Sequence, residues 1–183
     1  MIYFSSDFHC GHKNIIRIDG RPFEDLRDME DKLIARWNTR VKPNDTVYHL
    51  GDFAWTFNTA LRVIPKLNGH LVFIKGNHDK SWWKPERVAK EIPQANLCND
   101  SIHILHNAED CPSIVLCHYP MRSWPGSARG SWHLYGHTHR KLSDYGKSMC
   151  VCLNVWDYNL VSLDTVREHM NNLPETEDRH GPI

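Results

Sequence analysis

Five short motifs in this 183-residue sequence carry side chains that commonly bind metal ions. Together they contain seven candidate donors: Asp7, His9, Asp52, Asn77, His118, His137 and His139. The donors are carboxylates, imidazoles and one amide, with no thiolate, and seven are too many for one tetrahedral zinc ion. The set instead suits two divalent ions that share a bridging carboxylate. Mixed oxygen and nitrogen donors favour Mn, Fe, Zn, Co or Ni over Ca and Mg, which prefer oxygen ligands.

A pair of divalent ions in such a site is suited to the hydrolysis of phosphoesters. Two ions about 3.5–4 Å apart can clamp the attacking and leaving oxygens of an in-line displacement, and they lower the pKa of a bridging water. We therefore expect a phosphoester hydrolase in which a metal-bridging hydroxide makes the in-line attack. Mn²⁺ is our first expectation for the two ions, with Fe, Zn, Ni or Co as alternatives.

The predicted secondary structure explains how motifs so far apart in sequence could meet. Short apolar runs alternate with helical stretches, which is typical of an α/β protein. We predict strands over residues 2–6, 46–50, 71–75, 102–106, 113–117, 132–135 and 149–153. Five of these strands run directly into a donor motif, and active sites of α/β sheets lie beyond the carboxyl ends of strands. Glycines precede three of the motifs (Gly51, Gly76 and Gly136), where they allow the backbone to turn sharply out of the sheet.

Three helices and one hairpin complete the predicted elements. An apolar stripe predicts a helix over residues 25–40, and shorter helices are predicted over 58–64 and 85–91. The strands at 102–106 and 113–117 are joined by a turn-rich segment, so we expect a hairpin there. The chain becomes polar from Asn171 onward. We therefore expect a single domain over residues 1–170 and a flexible tail over 171–183.

Composition excludes several classes of protein. The 22 Lys and Arg residues balance 22 Asp and Glu residues, and this zero net charge argues against a protein that coats nucleic acid or an anionic membrane. The sequence begins without the basic and apolar regions of a signal peptide, and it contains no apolar run long enough to span a bilayer. A chain of this length needs no disulfides, so the six cysteines are predicted to be free and mostly buried. We expect a cytoplasmic protein.

The ordered motifs resemble the signature of the calcineurin-like metallophosphoesterases, particularly the small bacterial and phage members. The matching blocks are Asp7-x-His9, Gly51-Asp52, Gly76-Asn77-His78-Asp79, a lone His118, and Gly136-His137-x-His139. The resemblance implies two facing mixed β-sheets flanked by helices, with the active site at the carboxyl ends of the strands.

The resemblance also implies a role for each of these residues. Asp7, His9 and His139 would hold the first metal, and Asp52 would bridge the two ions. Asn77, His118 and His137 would hold the second metal. His78 would bind no metal but would face the substrate as the catalytic histidine, where it stabilises the developing charge or protonates the leaving oxygen.

Departures from the family pattern narrow the expected substrate. The protein phosphatases of this superfamily have Gly-Asp-x-x-Asp-Arg-Gly after the second strand, whereas this chain has Gly51-Asp52-Phe53-Ala54-Trp55, without that second aspartate and arginine. Gly-Asn-His-Asp is more similar to the nucleotide phosphodiesterases and nucleases. We therefore expect a phosphodiesterase, rather than a phosphomonoesterase, that acts on a small phosphorylated or nucleotide-type substrate.

Basic and aromatic residues near the motifs are the candidates for substrate contacts. Residues 111–143 contain four basic residues and no acidic one, and from these we select Arg122 as a phosphate contact. A second basic group follows Asp7-x-His9 and could hold a second phosphate or a sugar. From it we select His12 and Lys13, whereas Arg17 and Arg21 are equally well explained as solvated surface charges. Five tryptophans lie in or beside the motif loops, namely Trp55, Trp82, Trp83, Trp124 and Trp132. One of them could stack on a base, although packing is the commoner role of a large aromatic.

Two other functions fit parts of this pattern. A nuclease acting on polynucleotides would need a longer basic track than residues 111–143 and usually further domains, so nucleic acid is a less favoured partner. A non-catalytic scaffold could retain the fold, but it would show broken ligand positions, and none is broken here.

Overall fold

The fold was described from a computed structural model that covers residues 1–106, 111–140, 142–143 and 145–175. It contains two β-sheets. The first sheet has five strands in the order β4-β3-β2-β1-β9. These strands are β1 (Ile2–Ser5), β2 (Thr46–His49), β3 (His70–Phe73), β4 (Ala95–Leu97) and β9 (Val161–Ser162). The strands β1 to β4 are parallel, and β9 pairs antiparallel with β1.

The second sheet has four strands in the order β5-β6-β7-β8. They are β5 (Ile102–Leu105), β6 (Ile114–Cys117), β7 (Trp132–Tyr135) and β8 (Ser148–Cys150). Strand β5 is antiparallel to β6, while β6, β7 and β8 are parallel. Both sheets are therefore mixed, and the expected architecture of two mixed sheets flanked by helices is confirmed.

Five α-helices accompany the sheets in the described ranges, and most of them begin at a residue that favours a helix start. They are α1 (Ile15–Ile18), α2 (Leu26–Arg40), α3 (Phe57–Val63), α4 (Pro85–Glu91) and α5 (Leu163–Asn171). The side chain of Asp25 accepts a hydrogen bond from the backbone N–H of Asp28 at the start of α2, and Thr56 caps α3 in the same way. A proline starts α4, where its missing N–H has no cost.

Two large apolar cores hold these layers together. One lies between the first sheet and the helices α2 to α4, and it includes the fully buried Phe8, Leu33 and Trp37. The other lies between the sheets, where Phe4 and Ile74 pack with Leu134. Strands β1 to β3 therefore have both faces covered, which explains why their sequences are nearly continuous apolar runs.

The predicted helices and strands agree with the structure to within three residues at either end, but α1, α5, β4 and β9 were missed. Helix α1 has four residues, and β4 and β9 have three and two, so none shows a clear periodicity. Helix α5 did carry a signal, because Ser162 caps it and Leu163, Val166 and Met170 form its buried stripe. The β5–β6 hairpin is confirmed, although residues 107–110 of its connection lie outside the described residues.

The predicted tail begins at Asn171, the last residue of α5, and residues 176–183 lie outside the described part of the chain. The division into a domain over 1–170 and a tail stays a prediction. In the described ranges, none of the helices combines the length and apolar character that a membrane crossing requires.

Candidate metal centre

The donor motifs lie at the carboxyl ends of five strands, and backbone hydrogen bonds join the loops that carry them. Strand β1 leads to Asp7 and His9, while β2 leads to Asp52. The N–H of Asp7 donates to the carbonyl of Gly51 at 3.0 Å, and the N–H of His9 donates to the carbonyl of Asp52 at 2.9 Å. In the second sheet, the N–H of Gly136 donates to the carbonyl of His118 at 2.9 Å. The parallel strands thus deliver their motifs to one edge of the molecule.

A first group of donors surrounds a single point. The donor atoms of Asp7, His9, Asp52 and His139 all lie within 4.8 Å of one another. The Nε2 atoms of His9 and His139 are 3.1 Å apart, and Nε2 of His139 is 3.3 Å from Oδ1 of Asp7. Carboxylate oxygens and imidazole nitrogens that face one another this closely are a donor set suited to a divalent transition metal.

A second group of donors lies on the other side of Asp52. Nε2 of His118 is 2.9 Å from Oδ1 of Asn77 and 3.5 Å from Oδ2 of Asp52. The ring of His137 packs edge-on against that of His118, with centroids 5.1 Å apart. Because Oδ2 of Asp52 is also 3.7 Å from Nε2 of His9, this carboxylate lies between the two groups.

Backbone strain is concentrated at these donors. Seven non-glycine residues in the described ranges have a positive φ, and five of them are the candidate ligands Asp7, His9, Asp52, His137 and His139, with φ between 54° and 71°. Such conformations are unfavourable for residues with a side chain, and they are typically found at functional sites. The surrounding fold therefore holds the backbone in conformations that aim these side chains inward.

The motif glycines provide space as well as conformational freedom. Gly51 adopts a φ of +94°, as expected for a sharp turn. A Cβ atom at Gly76 would lie 2.2 Å from Oδ1 of Asp52, and one at Gly136 would lie 2.7 Å from Oδ2 of Asp7. At these two positions the backbone of one loop packs directly against the carboxylate of another, which leaves no room for a side chain.

Burial and charge determine the protonation of the centre without metal. Burial opposes ionisation of Asp7, but the hydrogen bond from His139 and the nearby histidines outweigh it and hold the pKa of this carboxyl below its usual range. The pKa of Asp52 is lowered in the same way, against its burial, chiefly through His118. Burial lowers the pKa of His9 to about 3 despite both carboxylates. The centre therefore combines two ionised carboxylates with a neutral His9, the state in which these side chains bind cations.

One supporting residue, Asp79, belongs to a motif but was assigned no role from the sequence. Its buried carboxylate accepts hydrogen bonds from the backbone N–H groups of Asp52, Phe53 and Gly76 and from the indole of Trp82, at 2.6–2.9 Å. It thus ties the loop after β2 to the loop after β3. Its place in Gly76-Asn77-His78-Asp79 was the signal that could have identified it.

Three further supporting residues were missed, and no local pattern marks them. Oδ2 of Asp19 lies 2.5 Å from Nδ1 of His139. The buried guanidinium of Arg21 donates to the backbone carbonyl of Asp7 at 2.8 Å. This finding corrects the sequence-based view of Arg21 as a surface charge or phosphate contact. The thiol of Cys152 donates to Oδ2 of Asp7 at 2.8 Å. All six cysteines are free, and five are buried.

A cleft of about 650 Å³ opens over the donors. Imidazoles of both donor groups line it, together with the side chains of His12 and His78. Ile18 of α1 forms an apolar wall, and Arg140 provides a cation at the rim. Among the residues that we selected as substrate contacts, His12 lines this cleft.

The other two selected residues lie elsewhere. Lys13 borders a separate groove together with Asp25 and Glu30. The guanidinium of Arg122 lies 4.8 Å from the centroid of the Tyr145 ring and is not among the residues that line the cleft. The structure therefore brings together the candidate ligands, His78 and His12, but it does not bring Lys13 or Arg122 to the same cleft.

Comparisons with known proteins agree with this geometry. The family model described as "Calcineurin-like phosphoesterase superfamily domain" matches residues 1–155. The uncharacterized protein MJ1445 of Methanocaldococcus jannaschii is 35% identical over 175 residues, which cover 90% of this chain and 88% of that protein. The Gene 66 protein of Mycobacterium phage L5 is 24% identical over an alignment of 209 residues, which covers 97% of this chain and 98% of that protein.

A solved structure shares the fold over nearly the whole chain. The protein of unknown function AQ665 from Aquifex aeolicus superimposes with a TM-score of 0.72 and 26% sequence identity, and the match covers 92% of this chain and 98% of that one. The family match includes all seven candidate ligands. The resemblance carried by the motifs is confirmed, and the chain belongs to the calcineurin-like phosphoesterase superfamily.

Proposed function

We propose that this protein hydrolyses phosphodiesters with the help of two divalent metal ions. The observation that carries the proposal is the position of Asp52, whose Oδ2 lies 3.7 Å from Nε2 of His9 and 3.5 Å from Nε2 of His118. A carboxylate within reach of two separate sets of nitrogen and oxygen donors suits a pair of adjacent cations. Asp7, His9 and His139 would hold the first ion, and Asn77, His118 and His137 the second.

The donor set fits such ions, and the remaining residues have separate tasks. When bound, two divalent ions against two carboxylates supply a net charge of about +2 and lower the pKa of bound water. The exposed ring of His78 lines the cleft, and its backbone N–H donates to Oδ1 of Asp52 at 2.8 Å. This hydrogen bond holds the backbone of His78 beside the ligands and does not involve its imidazole ring. The ring is thus available to donate a proton to the leaving oxygen of the ester.

The cleft supports a small substrate. Its volume of about 650 Å³ is within the usual range for pockets that bind small molecules. His12 and Arg140 offer donors at its rim for oxygens of the substrate. The phosphatase-type aspartate and arginine are absent after β2, which supports a diester substrate. Substrate contacts by Lys13 and Arg122, the choice of Mn²⁺ and a location in the cytoplasm stay predictions from the sequence.

The proposal can be tested with metal-stripped protein. Samples reconstituted with Mn²⁺, Co²⁺, Ni²⁺ or Zn²⁺ would be assayed against bis-p-nitrophenyl phosphate, p-nitrophenyl phosphate and a 2′,3′-cyclic nucleotide. We expect about two ions per chain and faster turnover of the diesters than of the monoester. Turnover of the monoester alone would overturn the preference for diesters.

A pair of variants isolates the contribution of the bridging position. Asp52→Ala should lose bound metal and turnover together, because it removes the carboxylate shared by both donor groups. Asp31→Ala, at an exposed carboxylate on α2, is the matched control and should retain both. Full activity in Asp52→Ala would contradict the proposed function.

A further inference from the structure

Two large aromatic side chains remain exposed beside the candidate metal centre. Among the exposed large apolar residues in the described ranges, two are aromatic: Trp55 is 40% exposed and Tyr119 is 44% exposed. Trp82, Trp124 and Trp132, by contrast, are buried in the cores. Neither ring is among the residues that line the cleft, but each packs against histidines that do, so both border the cleft.

Trp55 borders the side of the centre that carries His78. Its ring stacks on His12 with centroids 4.2 Å apart and an interplanar angle of 13°. It also lies nearly parallel to His78, at 5.5 Å and 28°. The backbone N–H of Trp55 donates to the carbonyl of Cys10 at 2.8 Å, which fixes the base of the side chain. The indole therefore forms a flat and preorganised surface next to the proposed proton donor.

Tyr119 borders the second donor group. Its ring meets His118 at 5.0 Å and His137 at 4.8 Å, edge-on in both cases. Because His118 precedes Tyr119 in the chain, the position of this ring is tied to that of the ligand. Tyr119 thus contacts the second donor group directly, whereas Trp55 is next to the first group through His12 and His78. The rings of these two histidines lie 5.7 and 5.5 Å from that of His9, and Asp52 lies between the two groups.

We infer that Trp55 and Tyr119 stack on the two nucleobases of a dinucleotide-type phosphodiester whose phosphate lies at the metal centre. This inference rests on the proposed function. A phosphodiester has an organic group on each side of the phosphorus, and the site offers an aromatic surface on each side. Stacking on an aromatic side chain tolerates any base, since every base has a flat π-face. His78 lies beside Trp55, which assigns Trp55 to the base of the leaving nucleoside.

Charge favours a short substrate over a long strand. The chain has no net charge. Among the residues that the structure describes, Arg140 is the one Lys or Arg that lines the cleft. Affinity for a long strand depends on many Lys and Arg contacts to successive phosphates. Two stacking surfaces around one phosphate centre can bind a dinucleotide without such a track.

The test combines variants that lack one aromatic ring with substrates that lack one or both bases. The substrates are a dinucleoside monophosphate, the two analogues that lack one base each, and the analogue that lacks both. For Trp55→Ala, we expect kcat/KM for the dinucleotide to fall about 10-fold relative to the fully abasic analogue, mainly through KM. The same loss should persist for the analogue that keeps only the base of the leaving nucleoside, and it should vanish for the analogue that keeps only the other base. Tyr119→Ala should show the opposite assignment.

Conservative variants and a remote control make the result specific. Trp55→Phe and Tyr119→Phe keep an aromatic face and should recover most of the preference for bases. Ile102→Ala removes an exposed apolar side chain on β5 and should leave the preference unchanged. As a readout independent of turnover, adenosine should quench the fluorescence of Trp55, so the quenching should be lost in Trp55→Phe.

The outcomes separate this inference from the proposed function. If wild-type protein cleaves diesters but handles the dinucleotide and the abasic analogue equally well, the stacking inference is wrong while the proposed function stands. Equal loss on all four substrates in Trp55→Ala would also overturn it. If metal-loaded protein cleaves no diester at all, the proposed function itself fails.

Discussion

Oδ2 of Asp19 lies 2.5 Å from Nδ1 of His139, and the opposite nitrogen of the same ring lies 3.3 Å from Oδ1 of Asp7. Asp19 therefore determines which nitrogen of His139 faces the candidate centre. Burial opposes the protonated form of His139, but the hydrogen bonds and charges of Asp19 and Asp7 outweigh it and raise the pKa to about 9. A carboxylate behind a metal-binding imidazole orients the ring and makes it a stronger ligand.

Asp19→Asn should weaken metal binding by about 10–100-fold, because the amide keeps the size of the side chain but removes its charge. Competition with a metal chelator would measure the dissociation constants. Asp31→Asn, at an exposed carboxylate on α2, provides the control. Unchanged affinity in Asp19→Asn would mean that the orientation of His139 does not depend on this hydrogen bond.

Asp79→Ala should lower the free energy of unfolding by about 3–5 kcal/mol, because four buried donors would lose their acceptor. Urea denaturation monitored by circular dichroism would measure the change. Asp79→Asn retains an acceptor oxygen and should be intermediate. A loss below about 1 kcal/mol in the alanine variant would show that water replaces the carboxylate at little cost.

Gly76→Ala should disrupt the centre more than it disrupts the fold elsewhere. The added Cβ would lie 2.2 Å from Oδ1 and 2.4 Å from the backbone N of Asp52, so the loop after β2 must shift. We expect weaker metal binding and lower turnover. Gly130→Ala is a useful comparison, because its Cβ meets nothing within 4 Å and only its φ of +83° is unfavourable. That variant should lose about 1 kcal/mol of stability and keep its metal affinity.

His133 should make the protein less stable in mild acid. Burial lowers the pKa of this imidazole from 6.5 to about 4, although its hydrogen bond to the carbonyl of Val115 partly opposes the change. Between about pH 6.5 and pH 4, this imidazole is protonated in the unfolded chain but stays neutral in the folded one. The free energy of unfolding therefore decreases as the pH falls through that window.

The contribution of His133 can be separated from that of other groups by comparing variants. His133→Gln should show a smaller loss of unfolding free energy between pH 7 and pH 4.5 than the wild type, by up to about 3 kcal/mol. His70→Gln, at an exposed histidine of β3, should keep the wild-type pH dependence. Identical slopes in His133→Gln and the wild type would contradict the assignment.

Much of the fold followed from local patterns. The apolar stripe of α2 and the apolar runs of β1, β2 and β3 are strong periodic signals, and these elements were predicted within one or two residues. The edge strands β4 and β9 could not be predicted in this way, because each forms only where a neighbouring strand is already in place.

The proximity of the candidate ligands was predictable, because each lies within four residues of the end of a strand and the covalent chain carries it to the sheet edge. The residues that hold these ligands were harder to predict. Asp19 and His139 are 120 positions apart, and Cys152 and Asp7 are 145 positions apart. No local spacing encodes such pairs.

The sequence by itself therefore determined the fold family, the donor chemistry and the order of the motifs, since these depend on residue type and on neighbours in the chain. Only the tertiary structure decided that Arg21 is buried behind the ligand loop and that Lys13 and Arg122 are not among the residues lining the cleft. It also decided that Trp55 is exposed whereas Trp82, Trp124 and Trp132 are buried. The physical reason is that burial and contact depend on which distant segments pack together. A charged or aromatic side chain has the same local signature in a core, at a surface or in a cleft.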